Sequence, residues 1–108
     1  MAGTGSWDVA SPGIQRQVYG FDENIMMVRV KFEKGAIGDE HRHVHTQVSY
    51  VESGVFEVMI GGERKTVKCG DGFFVPSNVL HGSLCIEPGV LIDVFAPHRT
   101  DFLKVHEG

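Results

Sequence analysis

Residues 55–68 read VFEVMIGGERKTVK and contain the clearest turn signal in the chain. The glycine pair at 61–62 is free to take positive φ at both positions, as the tight turn of a two-residue β-hairpin requires. Such a turn pairs Phe56 with Val67 and places Val58 on the same face as both. We therefore predict a hairpin with one buried, apolar face and a tip that projects into solvent.

Short apolar segments separated by glycine-containing turns continue on both sides of this hairpin. No segment repeats apolar residues at helical period over three turns. We predict strands at residues 15–19, 25–32, 43–52, 55–60, 63–68, 72–75, 81–86 and 90–95. This many short strands in 108 residues predict an all-β fold, a jelly-roll barrel. Residues 100–105 fit either a short helix or a closing strand.

The composition is that of one small globular domain. Of the 108 residues, 42% are apolar and 22% are charged, which is typical of folded proteins and not of disordered ones. Residues 1–13 are rich in Gly, Ser, Thr and Pro. We assign residues 1–13 to a flexible N-terminal arm and residues 14–108 to the folded domain.

Charge and hydropathy exclude two classes of partner. The formal net charge is −4 and no block of like charges occurs, so we expect neither a nucleic acid nor an anionic membrane surface as a partner. No apolar run reaches the length of a membrane span, and the first residues lack a signal-peptide pattern. We expect a cytoplasmic protein, and the two cysteines, Cys69 and Cys85, fit a reducing compartment.

Four polar side chains are spaced so that they can converge on one point. His41 and His43 are two residues apart and point to the same face of a strand. Gln47 continues this parity, and His81 begins a later apolar strand. Two histidines at this spacing are more often a solvated or hydrogen-bonded pair than metal ligands, so spacing alone leaves both alternatives open. His45 has the same parity, and we place it behind the ligands or in solvent.

The spacing resembles the two short motifs of the cupin superfamily, which would make this a single-domain cupin with a double-stranded β-helix, or jelly-roll, barrel. The matching residues are Gly35, His41, His43, Gln47 and Gly54 in the first motif, and Gly70, Pro76, Asn78 and His81 in the second. The chain departs from the family pattern at three positions. Gln47 replaces the usual glutamate, Asn78 replaces a glycine, and Cys85 stands where asparagine is common.

The cupin resemblance implies one divalent transition-metal ion, held by His41, His43, Gln47 and His81. Imidazole with one oxygen ligand suits Ni, Mn, Fe, Co or Zn, and affinity order does not choose among them. Three neutral imidazoles and a neutral amide leave the +2 charge of the ion uncompensated. The site therefore favours an anionic ligand.

Asp93 interrupts an otherwise apolar strand in the segment GVLIDVFAPHRTDFL, residues 89–103. An unpaired carboxylate there costs several kcal/mol, so it needs a partner or a function. Asp93 is either a structural partner of Arg99 or of a backbone amide, or it lines the metal pocket together with Phe95 and Arg99. Periodicity alone does not choose between these alternatives.

Residues 25–103 also resemble a narrower family, the pectin-degradation cupins or unsaturated pyranuronate lyases. The resemblance rests on the glutamine in residues 43–52, the hairpin, and above all residues 89–103. It implies an enzyme that converts cyclic 4,5-unsaturated uronates from pectin or similar polyuronides into linear keto forms. It also implies catalytic roles for Asp93, Phe95 and Arg99, and a small anionic sugar as substrate.

The sequence leaves two other functions open: an iron-dependent cupin dioxygenase, and a non-catalytic sugar- or anion-binding cupin module. The acid at Asp93 and the cation at Arg99 favour the lyase or isomerase, because a dioxygenase has less need of a carboxylate clamp and a sensor needs no buried proton carrier. We also expect a homodimer, because so short a barrel leaves sheet edges and an apolar face to cover.

Overall fold

The computed structural model describes residues 6–103 and confirms the all-β prediction. Its elements are strands β1 (Asp8–Ser11), β2 (Ile14–Phe21), β3 (Met26–Phe32), β4 (Ile37–His41), β5 (Thr46–Ile60), β6 (Glu63–Lys68), β7 (Gly72–Val75) and β8 (His81–Ala96), followed by helix α1 (Thr100–Leu103). The antiparallel sheet has the strand order β1-β2-β3-β8-β5-β6, with β4 paired to β8 and β7 paired to β5. Within the described residues, no helix has the length and apolar character to span a membrane.

The predicted hairpin between β5 and β6 is confirmed. Gly61 and Gly62 form its turn with φ angles of 58° and 88°. Phe56 pairs with Val67, and these two side chains and Val58 are all buried. The local turn chemistry therefore determined the register of this pair of strands.

Strands β5 and β8 are longer than predicted, at 15 and 16 residues, and each takes the place of two predicted strands. They pass each other closely at Gly54 and Gly89, where a Cβ on Gly54 would lie 2.6 Å from the Gly89 Cα. The register of β5 against β8 also shifts around Gly54. Glycine here allows a bend and a close backbone approach without ending the strand.

Two strands lie outside the predicted set. Asp8–Ser11, which the sequence pattern assigns to the arm, form β1 and pair with β2. Ile37–His41 form β4, whose side chains are mostly exposed, so no apolar alternation marks it in the sequence. Both strands form because a neighbouring strand offers a free edge. Residues 1–5 lie outside the described part of the chain, so the flexible arm stays a prediction there.

The core fills the barrel with side chains from alternate strand positions. In β3, for example, Met26, Val28, Val30 and Phe32 are buried while the residues between them face outward. Phe32 meets Phe56 edge to face, with ring centroids 5.1 Å apart. Segment 100–103 is a helix, α1, and its Phe102 and Leu103 pack against this core; residues 104 and 105 of the open helix-or-strand prediction are outside the described chain.

Candidate metal centre and active-site pocket

Three histidines from separate parts of the fold form a compact cluster. His41 ends β4 and His81 begins β8, and the two residues are partners in the β4–β8 pairing. His43 lies in the loop between β4 and β5. One ligand atom from each histidine lies within 4.8 Å of the other two. This spacing allows the three imidazoles to hold one metal ion.

The convergence of His41 and His43 has a different cause from the predicted one. The strand expected at residues 43–52 begins only at Thr46, so alternation along a strand does not orient His43. Instead, a residue of the second motif supports the loop. The backbone N–H of Asn78 donates a hydrogen bond to the backbone carbonyl oxygen of His43, at 2.8 Å. Asn78 takes the left-handed conformation expected of a residue in place of glycine, with φ at 64°.

Backbone hydrogen bonds orient all three rings. The Nδ1 atoms of His41, His43 and His81 each lie 2.9 Å from a backbone carbonyl oxygen two residues away along the chain. A carbonyl only accepts, so each Nδ1 carries the proton and each Nε2 keeps its lone pair. Within residues 6–103, the His43 Nε2 is buried and has no hydrogen-bond partner. An unpartnered buried imidazole nitrogen in such a cluster fits a metal ligand.

The surroundings keep two of the three histidines, His43 and His81, neutral. Burial, followed by the charge of Arg99, lowers the pKa of His43 to about 4. Burial also lowers the pKa of His81, with smaller contributions from His41 and Arg99. Both imidazoles are therefore unprotonated at neutral pH, the state that a metal ligand requires.

His45 stands behind this cluster. Its ring centroid lies 5.4 Å from that of His43. Burial lowers its pKa, and the His98 backbone partly offsets this effect. His45 is partly buried and is not part of the three-histidine group. This is the outer position predicted for it.

Gln47 and Asp93 are joined by a residue that the sequence pattern did not single out. The Gln47 Nε2 donates to the Ser49 Oγ at 3.0 Å, and the Ser49 Oγ donates to the Asp93 Oδ1 at 2.6 Å. Ser49 has the parity of Gln47 on β5 and faces Asp93 across the β5–β8 pairing. That parity was readable in the sequence, but the pairing with Asp93 was not.

Asp93 is a buried acid with an unusual protonation equilibrium. It is 8% exposed, and this burial raises its pKa to about 6 against the opposing effects of the Ser49 hydrogen bond and of Arg99 and Arg16. Its direct hydrogen-bond partner is Ser49, so the structure does not show the Asp93–Arg99 ion pair of the structural alternative. A carboxyl group that titrates near neutrality is suited to proton transfer.

Arg99 follows β8 and is held by the first residues of α1. It is 11% exposed and forms a two-bond ion pair with Asp101, with Nε–Oδ1 at 3.0 Å and Nη2–Oδ2 at 2.7 Å. Its guanidinium carbon lies 5.0 Å from the Phe95 ring centroid and 4.3 Å from that of Phe102. The buried Phe95 ring also meets the His43 ring at 5.8 Å. Phe95 therefore links the histidine cluster to Arg99.

Six of the seven predicted site residues line one cavity of about 560 Å³. It is lined by His41, Gln47, His81, Asp93, Phe95 and Arg99, among others. His43 is not in the lining, but its ring lies 4.7 Å from that of His81. Arg16, which the sequence pattern did not indicate, also lines the cavity and lies 3.8 Å from the Phe102 ring centroid. Nothing in the local sequence of β2 distinguishes Arg16 from a surface arginine.

Comparisons with known proteins agree with this architecture. The family model for the cupin domain matches residues 28–95. The chain is 46% identical over 99 residues to the pectin degradation protein KdgF of Dickeya dadantii (strain 3937), with 90% of each chain covered. Its structure is similar to that of KdgF from Halomonas sp., at 41% identity, a TM-score of 0.87 and 91% of each chain covered.

A second solved structure, an RmlC-like cupin from Shewanella frigidimarina NCIMB 400, matches at 45% identity and a TM-score of 0.88. That match covers 90% of this chain and 87% of the other. The motif positions, the barrel and these similarities agree, and the chain belongs to the cupin family.

Proposed function

We propose that this protein is a metal-dependent enzyme of pectin breakdown that converts cyclic 4,5-unsaturated uronates into their linear keto forms. The observation that carries the proposal is that a buried acid, Asp93, lines the same cavity as His41 and His81. The proposal is further supported by the similarity to a relative described as a pectin degradation protein. In this proposal the enzyme is a lyase or isomerase.

The residues that would hold the ion are His41, His43 and His81, with Gln47 as the fourth ligand. The histidine orientations and the unpartnered His43 Nε2 fit this role. A bound divalent ion supplies Lewis acidity toward the oxygens of an anionic ligand. Because all four protein ligands are neutral, a carboxylate substrate compensates the charge of the ion.

The reaction moves one proton within the substrate. The anomeric hydroxyl loses its proton, and its electron pair forms the new carbonyl as the bond between the anomeric carbon and the ring oxygen breaks. The ring oxygen keeps that bonding pair and becomes part of an enolate. Protonation of the enolate carbon then gives the keto form, so the atoms and charges of substrate and product balance. The protein must therefore supply a group that accepts a proton and returns it.

Asp93 is suited to carry this proton. With a pKa of about 6 it is mostly ionised at neutral pH and accepts a proton without a large free-energy penalty. Its Oδ1 is engaged by Ser49, which holds the carboxyl group in a fixed orientation in the cavity wall. Asp93 thus acts as general base in the first half of the reaction and as general acid in the second.

Arg99 is suited to bind the substrate carboxylate. Asp101 occupies one edge of its guanidinium, the Nε and Nη2 edge. A planar guanidinium has a second edge, between Nη1 and Nη2, that binds a carboxylate through two hydrogen bonds. Phe95 and Phe102 lie against the same group and limit its movement. The substrate would therefore be oriented by Arg99 while Asp93 reaches its reacting atoms.

The direct test is to incubate purified protein with an unsaturated uronate and follow the conjugated absorbance of the substrate. We expect the absorbance to fall with untreated protein, to stay constant after chelator treatment, and to fall again when metal is restored. Absorbance that never falls with metal-loaded protein would contradict the proposal. Oxygen consumption instead of uronate loss would indicate the dioxygenase alternative.

A homodimer is part of the same proposal. The outer face of the central sheet exposes Val48, Tyr50 and Phe74, each about half exposed, with Met27 beside them. Val48 pairs with Phe74 on one side and with Val94 on the other, so these side chains are contiguous. A contiguous apolar sheet face next to polar surface is typical of an interface. We infer that a second copy of the chain covers it.

A further inference from the structure

We propose that Ser49 is a positioning residue that orients the Gln47 side chain so that its amide oxygen, and not its nitrogen, is presented to the metal. This inference rests on the proposed function only in that Gln47 is taken as a metal ligand. It concerns a residue that lies within the first cupin motif but at none of its defining positions. It is carried by a chain of hydrogen bonds between two strands.

The three groups of this chain are fixed in a buried part of the cavity wall. Gln47 is 7% exposed, Ser49 2% and Asp93 8%. Gln47 and Ser49 lie two residues apart on the same face of β5, and Ser49 faces Asp93 on β8. The two links measure 3.0 Å from Gln47 Nε2 to Ser49 Oγ and 2.6 Å from Ser49 Oγ to Asp93 Oδ1.

The direction of each hydrogen bond follows from the chemistry of its partner. An ionised carboxylate only accepts, so the single hydroxyl proton of Ser49 must be donated to Asp93. The Ser49 oxygen is then left as an acceptor, and the group of Gln47 that faces it must be a donor. In a glutamine amide that donor is the NH₂ group. The Gln47 oxygen is therefore the atom that Ser49 leaves unengaged.

This orientation matters because the two ends of an amide differ in what they can bind. The oxygen of Gln47 is a metal ligand, whereas the NH₂ group has no available lone pair and cannot coordinate. Without the Ser49 hydroxyl, the NH₂ group loses its acceptor at 3.0 Å, and the interaction of the amide with the Asp93 carboxylate is what remains to favour this orientation. Ser49 thus acts on the metal through Gln47 and does not touch it.

The test measures metal affinity in a double-mutant cycle. Chelator-treated protein is titrated with Co²⁺ in competition with a chromophoric chelator, for the parent chain, Ser49→Ala, Gln47→Ala and the double variant. We expect Ser49→Ala to weaken Co²⁺ binding by roughly 10- to 100-fold, as loss of a group that orients a ligand usually does. In the Gln47→Ala background the same change should have an effect below about twofold.

Three results of this titration would overturn the proposal. They are no loss of Co²⁺ affinity in Ser49→Ala, an equal loss from Ser49→Ala in the parent and in the Gln47→Ala protein, and no loss of affinity in Gln47→Ala itself. The visible absorption of bound Co²⁺ gives a second signal, because it reports the ligand atoms. We expect Ser49→Ala and Gln47→Ala to change that spectrum alike. A Ser49→Ala spectrum identical to the parent's would also contradict the proposal. None of these measurements uses the uronate, so they are independent of the proposed reaction.

Two controls separate orientation of Gln47 from a general effect on folding. Ser53→Ala removes a hydroxyl from the same strand, where Ser53 Oγ accepts from the Val90 amide at 3.1 Å in an exposed position. It should leave Co²⁺ affinity unchanged. If Ser49→Ala does not fold, Ser49→Thr and Ser49→Val provide a pair of variants whose side chains have the same shape. The Ser49→Thr protein should bind Co²⁺ roughly 10- to 100-fold more tightly than the Ser49→Val protein. Equal affinity in Thr and Val would refute the role of the hydroxyl.

Discussion

In each residue of the histidine cluster, the hydrogen bond at one ring nitrogen leaves the other ring nitrogen available to bind a metal. Each of His41, His43 and His81 uses Nδ1 for a backbone carbonyl and keeps Nε2 for a ligand. His45 has a different arrangement, because its Nδ1 is buried and has no hydrogen-bond partner among the described residues. The two kinds of histidine should respond differently to substitution.

We expect His43→Ala and His81→Ala to abolish stoichiometric metal binding, because each removes a nitrogen from the cluster. His45→Ala should retain the metal, since His45 is not part of the group. Metal analysis of the three purified variants provides the comparison. Equal loss of metal in all three would mean that the ligands are assigned wrongly.

Asp93→Asn separates catalysis from folding. Asparagine keeps the volume and can present an oxygen to Ser49 as Asp93 does, but it cannot carry the proton. We expect the variant to keep its metal and to melt near the parent temperature while turnover falls by roughly 100-fold or more. Asp39→Asn, at an exposed acid on the same cavity, is the matched control and should keep its turnover. A destabilised Asp93→Asn whose folded fraction turns over at the parent rate would exclude the catalytic role.

The histidine cluster should also make the metal-free protein sensitive to acid. Burial lowers the pKa of His43 to about 4 in the folded state, against about 6.5 in an unfolded chain. The unfolded state therefore binds more protons between these values, and stability present above pH 6.5 is lost as the pH falls toward 4. Asp93 has the opposite effect in this range, because burial raises its folded-state pKa from 3.8 to about 6. Urea unfolding of chelator-treated protein is therefore compared between the parent and His43→Gln, and the variant should gain stability relative to the parent as the pH falls from 6.5 toward 4. An identical pH dependence in parent and variant would contradict the assignment.

At the scale of elements, the two long strands β5 and β8 hold the site together. β5 carries Gln47 and Ser49, while β8 carries His81, Asp93 and Phe95. Both strands remain continuous because they bend around the contact between Gly54 and Gly89 described above. A change at this contact should therefore affect the whole barrel.

We expect Gly54→Ala to lower the free energy of unfolding by roughly 2 to 5 kcal/mol, through both its positive φ and the clash of a new Cβ with backbone. Gly62→Ala is the matched control, because Gly62 also has positive φ but its Cβ would meet open space. It should cost only about 1 to 2 kcal/mol. Urea denaturation of both variants measures the difference, and equal costs would show that the close approach is unimportant.

At the scale of the whole molecule, a broad apolar face of the sheet is exposed in the described part of the chain. The face formed by Val48, Tyr50, Phe74 and Met27 lies on the outside of the sheet, away from the buried side chains of β5. The cavity opens on the inner side of the same strands. Association through this face would therefore leave the cavity free for substrate.

We expect the parent protein to be a dimer at micromolar concentration and Val48→Lys to be a monomer, because the new charge would be buried in the interface. Ile37→Lys, at an exposed apolar side chain on β4, should remain a dimer. Light scattering on the three proteins tests this. A monomeric parent, or dimers in all three, would contradict the proposed interface.

Local sequence determined those features that depend on neighbouring residues alone. The glycine pair at 61–62 specified the hairpin, because a two-residue turn needs positive φ at its two central residues and glycine adopts it without strain. The register of β5 against β6 followed from that turn. The motif spacing predicted that His41, His43 and His81 converge, and the three form one cluster. Asn78 stands at a glycine position of the second motif, and it takes a left-handed conformation for a similar local reason, with φ at 64°.

Tertiary structure alone decided what depends on pairing between distant segments. Ser49 and Asp93 are 44 residues apart, and only the register of β5 against β8 brings them to 2.6 Å. His43 reaches the cluster through a loop that is hydrogen-bonded to Asn78, not through strand alternation. Arg16 lines the cavity and lies 3.8 Å from the Phe102 ring centroid, a contact between β2 and α1 that neither segment predicts by itself. Periodicity describes the faces of one strand, but contacts between strands also depend on register and bends that form only when the barrel closes.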